Sequence, residues 1–231
     1  MAISFISSTS ARIATSASTW SIQLPATPTG GAGMVLGLGP ASSAVTVSTV
    51  TDNTTNVWRL AVRRNTPKPA AGAELWYCSG FSSLSTRVSV TLSAGSSGSL
   101  ALSQFNGMST NNPLLETGSS AITANSTSHS ASQLTPSTSN ALVVSWARWN
   151  LSTNGTITNL GGMTPWTSTS ATGVVRTHGL YIIQGAASTA TGSFTTSSNV
   201  QHAAVIAAFS DTAAPVVFYQ PAWGFTMCGV Q

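Results

Sequence analysis

Charge is what this sequence has least of. Only 5% of its 231 residues are charged, against roughly 25% in an average soluble domain. Lysine occurs once, at Lys68, and the acids number four: Asp52, Glu74, Glu116 and Asp211. With seven arginines the formal net charge is only +4. That excludes the dense basic stripe of a nucleic-acid binder, so no specific nucleic acid is expected as a partner. Work by paired carboxylates needs two acids close together, and these four stand alone in sequence.

Cysteine is nearly as scarce. Cys78 and Cys228 lie far apart, without the close, even spacing of a disulfide framework or a zinc site. Both are expected as buried free thiols. His129, His178 and His202 are dispersed and show no paired metal-ligand spacing. A Gly-x-Ser-x-Gly nucleophile turn is missing, as are phosphate-loop and dinucleotide fingerprints. No enzyme activity, cofactor or metal is expected. The longest apolar runs fall short of the roughly 18 residues of a membrane-spanning helix, and no membrane partner is expected. The start, Met1-Ala2-Ile3-Ser4-Phe5, lacks the basic and apolar regions of a secretory signal, which suits a protein made in a cytoplasm.

Hydroxyls supply the polarity instead. The chain has 38 Ser and 33 Thr, and its hydrophobic fraction of 42% is too high for a disordered polar tract. So little charge suits a subunit of an assembly better than a free monomer, because repulsion between molecules is weak.

The dominant hydrophobic period is two. It runs through Trp20 to Leu24, Ala44 to Val50, Val57 to Arg63, Arg87 to Leu92, Leu142 to Trp149 and Gly179 to Ile183. These runs are rich in β-branched and aromatic residues and are bounded by Gly, Pro, Asn or Ser. No window reads as a convincing amphipathic helix. The pattern predicts an all-β chain of roughly a dozen antiparallel strands in a sandwich or barrel. No internal repeat is visible in the residues.

Two features invite a binding role. Strict alternation from Val57 would place Trp58, Leu60 and Val62 on one face and Arg59 and Arg63 on the other, with Arg64 and Lys68 at the following turn. Such an arm either blunts a sheet edge or meets an acidic patch on a partner. Among the seven tryptophans, Trp58, Trp76 and Trp146 alternate as core residues do. Trp149, Trp166 and Trp223 are flanked by turn residues and are candidates for exposure.

From Gly33 to Asp211 the order of signals resembles a jelly-roll-like β-sandwich domain of phage virion and bacterial surface proteins. Its opening strand is matched by Gly33-Met34-Val35-Leu36, and its "V-T-D-x-x-G-N-x-W/Y" turn by Val50-Thr51-Asp52-Asn53-Thr54-Thr55-Asn56-Val57-Trp58. Glu74-Leu75-Trp76-Tyr77 and Val88 to Ser93 follow as strands. Then come Leu102 to Met108 with Pro113 to Glu116, Asn140 to Val144, and the closing strand Ala203 to Phe209. The chain departs from the pattern in lacking the Asp of the first strand and the Gly of the first turn.

The resemblance implies an antiparallel jelly-roll-like sandwich over residues 29–211. Outside it lie N-terminal strands, 1–28, which either join the sandwich or are exchanged between subunits, and an apolar tail, 212–231. The tail carries Phe218, Tyr219, Trp223 and Phe225 without a single charge and needs covering, by its own sandwich or by a neighbour. The expected function is that of a bacteriophage virion protein, a capsid decoration or cement subunit. Its partners would be the major capsid protein or other virion subunits and further copies of itself, as a homotrimer. Arg59, Arg63, Arg64 and the four tail aromatics are the candidate partner-binding residues. The alternative is a carbohydrate- or receptor-binding module of a tail fibre or adhesin, with a glycan as partner.

Overall fold

The structure, a computed structural model, describes residues 2–24, 28, 30–66, 71–82, 84–149, 157–169 and 176–211. All regular structure among them is β. Six strands form one antiparallel sheet: β1 (Ser4–Gln23), β2 (Gly33–Pro40), β3 (Val47–Asp52), β4 (Arg59–Thr66), β5 (Ala71–Cys78) and β6 (Arg87–Asn106). Six more form the second: β7 (Leu114–Ser130), β8 (Leu142–Trp149), β9 (Ile157–Leu160), β10 (Thr164–Thr169), β11 (Arg176–Ile183) and β12 (Ser193–Phe209). The two sheets pack as a sandwich, as the period-two pattern predicts. The N-terminal region contributes one long strand, β1, paired with β6 of the same chain.

The first sheet runs β1-β6-β2-β5-β4, with β3 also on β6. The second runs β10-β11-β8-β12-β7, with β9 also on β12. Read from its other end, the second order is the first with six added to every strand number. The fold is therefore two copies of one six-stranded unit, which corrects the expectation of no internal repeat.

Ladder positions show the equivalence residue by residue. Gly33 faces Phe105 as Leu142 faces Phe209, and Leu38 faces Glu74 as Ala147 faces His178. Trp20 faces Val90 as His129 faces Phe194. Ring contacts across the sandwich obey the same symmetry: Tyr77 meets Phe209 at 5.3 Å, and Tyr181 meets Phe105 at 5.6 Å.

In each unit the two longest strands bend. The β1/β6 ladder shifts register between Ile13 and Thr19, and the β7/β12 ladder between Thr195 and His202. Beyond the bend of the first unit, β6 lies between β1 and β3, so that Thr91 faces both Thr19 and Thr49. This three-stranded flap closes over the outer face of its own sheet. Trp20, Val50 and Val90 from the flap form one buried cluster with Met34, Leu36 and Trp76 from the sheet. The second unit does the same with Phe194 and Val200 over Val143, Leu180 and Ile206. Between the sheets lies a third cluster containing Val35, Leu75, Phe105, Trp146, Val205 and Phe209.

Central strands are thus buried on both faces, and every residue of β2 and β8 is buried. Burial at about 25 cal/mol per Å² of apolar surface makes these three layers the main stabilising term.

Candidate functional site

Three places hold polar chemistry. The first is the basic arm. Its alternation is interrupted by a register shift between Leu60 and Val62, where β4 carries an extra residue opposite β5. Arg59 faces Tyr77, whose ring belongs to the inter-sheet core, whereas Arg63 faces Glu74 on the opposite face. The expectation that Arg59 and Arg63 share one outer face is therefore corrected.

Arg63 turns inward to the fully buried Glu74. Its Nε lies 2.9 Å from Oε1, and Nη2 donates to Oε2 at 3.1 Å and to the Val47 carbonyl at 2.7 Å. The same carboxylate accepts from Trp76 Nε1 at 2.8 Å and from the Val47 amide at 3.0 Å. Arg63 is an internal strut tying β3, β4 and β5 together. Arg64 is exposed at the end of β4. Lys68 and the tail residues Phe218, Tyr219, Trp223 and Phe225 lie outside the described residues, as does Cys228.

The second place is a groove of about 460 Å³ beside β4 and β5, lined by Asn56, Val57, Arg59, Ser79, Ser82 and Thr110 among others. Its wall is set by the loop after β3. Asp52 accepts from the Thr54 amide and hydroxyl at 2.8 Å, from Asn56 Nδ2 at 2.7 Å and from Trp58 Nε1 at 3.3 Å. Asn56 Oδ1 in turn accepts the Ser82 amide at 2.9 Å. Beneath it Cys78 is buried and free, and its thiol pKa is pushed up to about 12, by burial first and then by Asp52. A thiol held neutral in this way is a core residue and a poor nucleophile.

The third place was not legible in the sequence. His129, His178 and His202, dispersed along the chain, converge on Phe194 at ring-centroid distances of 5.0, 5.6 and 6.1 Å. His129 Nδ1 lies 2.9 Å from His202 Nδ1, and His129 Nε2 lies 2.9 Å from Thr196 Oγ1. Thr196 donates to the Ser198 carbonyl at 2.8 Å, and His202 Nε2 faces the Ser130 carbonyl at 3.4 Å. These four links have three protons available when both rings are neutral, one from the hydroxyl and one from each imidazole. The three short links take them: Thr196 to Ser198, His129 Nε2 to Thr196, and His202 Nδ1 to His129 Nδ1.

Burial pushes all three histidines down to about 4, with the charge of His129 adding to the effect on His202. Hydroxyl, ring and second ring stand in the order of a nucleophile, base and orienting group. However, the Thr196 hydroxyl is buried with its proton directed to Ser198. The arrangement holds protons within a core. Among the described residues no three His, Cys, Asp or Glu side chains are grouped to hold a metal ion.

The tryptophans correct another expectation. Trp149 and Trp166 are buried, as are Trp20, Trp58, Trp76 and Trp146, while Trp223 lies outside the described residues. Stacking of a sugar on Trp149 or Trp166 has no support here. No family model, curated protein or solved structure matches the chain.

Proposed function

We propose that this chain is a non-catalytic structural subunit of a bacteriophage virion, a decoration or cement protein that binds and stabilises the shell. One observation carries the reading. Two of the sandwich's edge strands, β1 and β7, are long and nearly free of charge. β1 runs for 20 residues with Arg12 as its only charge, and β7 for 17 with Glu116 as its only one; neither contains Pro or Lys. Free soluble domains blunt such edges with Lys, Pro or short strands, because an open edge templates pairing with another chain. A subunit that works inside an assembly is served by open, hydroxyl-rich edges. The scarcity of charge points the same way. The jelly-roll likeness, read over residues 29–211, belongs to this reading.

The test is the copy number of the chain in purified particles relative to the most abundant shell protein. A ratio fixed by lattice symmetry supports a decoration role and a trimeric or other closed oligomer. A handful of copies per particle moves the chain to a fibre or tail.

A further inference from the structure

We propose that the groove beside β4 and β5 is a binding site for a carboxylate-bearing sugar, with Arg59 as the group that recognises the carboxylate. Arg59 is exposed, and among the described residues no acid forms an ion pair with its guanidinium. A free guanidinium presents a planar fork of donors that matches a carboxylate in two parallel hydrogen bonds. The groove, about 460 Å³, falls within the range of small-molecule sites.

The rest of the lining fits a polyhydroxylated body. Ser79, Ser82 and Thr110 offer hydroxyl groups, the Asn56 amide being committed to Asp52, Thr54 and Ser82, and Val57, 64% exposed, gives a small apolar rim for the face of a sugar ring. A phosphate would call for several cations or a nest of backbone amides, whereas this groove holds a single cation among neutral polar groups.

The frame is held in place before any ligand arrives. Asp52 fixes Asn56 and Trp58, and Ser79 Oγ donates to the Thr110 carbonyl at 3.2 Å. Gly80 turns the chain at φ 67°, a left-handed conformation that favours glycine.

The second unit serves as an internal control. There Tyr181, the equivalent of Tyr77, faces Thr164 where the first unit has Arg59. Ile183 takes the place of Ser79, five residues past its ladder anchor in the same way. At the matching ladder positions the second unit carries Thr164 and Ile183 in place of Arg59 and Ser79, so the strand pairing of a unit needs neither of them.

The experiment is a titration of the full chain with N-acetylneuraminate and with glucuronate, followed by the backbone amide shifts of Asn56, Ser79 and Ser82. Glucose, acetate and inorganic phosphate serve as separate controls, and the variants are Arg59→Gln and Ser79→Ile. Saturable shifts are expected with at least one acidic sugar, weakened roughly tenfold or more by Arg59→Gln. They should also weaken with added salt and with Ser79→Ile, while the urea midpoint of each variant stays at the wild-type value. Acetate or phosphate binding as tightly as the acidic sugars would overturn the sugar assignment. Glucose binding equally well would overturn the role of Arg59. Absence of saturation with either acid at tens of millimolar, or saturation indifferent to Arg59→Gln, would overturn the site itself.

Discussion

At the scale of single residues the buried Glu74 organises the first unit. Its carboxylate accepts from a guanidinium, an indole N–H and a backbone N–H at once. Glu74→Ala strands those donors, and breaking a buried ion pair from one side costs about 3 kcal/mol. Glu74→Gln keeps one acceptor oxygen but sets an amide group against other donors, and about 1–2 kcal/mol is expected. Glu116, which is only partly buried and makes no side-chain hydrogen bond in the described network, should tolerate Ala within about 0.5 kcal/mol. Urea unfolding of the three variants tests this ranking, and equal losses for Glu74→Ala and Glu116→Ala would refute it. The sequence pattern did not reveal this role, because one extra residue between Leu60 and Val62 inverts the side-chain parity of β4. Alternation is a good guide to faces only while the register holds.

At the scale of elements, the second unit carries an acid dependence in the cluster of His129, His178 and His202. Each histidine has a pKa near 4 when folded against an ordinary 6.5. Between those values the unfolded chain binds more protons than the folded one, so stability must rise with pH there. The contribution is fully present above pH 6.5, is lost as pH falls towards 4, and levels off below that. Each such group adds a slope of at most about 1.4 kcal/mol per pH unit. The equivalent places in the first unit hold Trp20 and Gly98, with a Cβ on Gly98 lying 2.5 Å from the indole of Trp20. A large and a small side chain there do the space-filling that two histidines do in the second unit. The double variant His129→Trp with His202→Gly should therefore fold and leave only His178 to titrate, cutting the slope to about a third. Urea midpoints between pH 7 and 4 measure it, and an unchanged slope would place the acid sensitivity elsewhere. Of the strands that meet in this cluster, β11 overlaps a period-two run, Gly179 to Ile183, whereas β7 and the Ser193 end of β12 show none, and the convergence was not legible at all. It depends on which β7 residue lies opposite which β12 residue after a bend, and no local pattern encodes that.

At the scale of the whole molecule the pseudo-twofold relation explains why the sequence looked unrepeated. Equivalent positions keep their burial while their residues diverge, as in Gly33-Met34-Val35-Leu36 against Leu142-Val143-Val144-Ser145. The all-β class and most strands could be read because burial patterns survive such drift, whereas the repeat could not, because residue identity does not. Near the axis the divergence has a physical cause. Counting along the ladders from Gly33 and Leu142, Gly37 is the equivalent of Trp146, and the two meet each other: a Cβ on Gly37 would lie 2.4 Å from the Trp146 ring. The indole also donates to the Leu38 carbonyl at 3.0 Å. Two tryptophans would not fit there and two glycines would leave a void, so a strictly symmetric pair is excluded by packing. This supplies a test of the symmetry in the intact chain. Trp146→Gly should cost about 3–5 kcal/mol through the cavity it leaves, and Gly37→Trp at least as much through overlap with the indole. The exchange variant, Gly37→Trp with Trp146→Gly, puts the large side chain on the other unit and the space opposite it. If the two units are related as their ladders indicate, the losses are far from additive, with a favourable coupling of about 2 kcal/mol in a double-mutant cycle. Additive losses would mean that the equivalence ends at the backbone and that the inter-sheet core has lost the symmetry of the strands that build it.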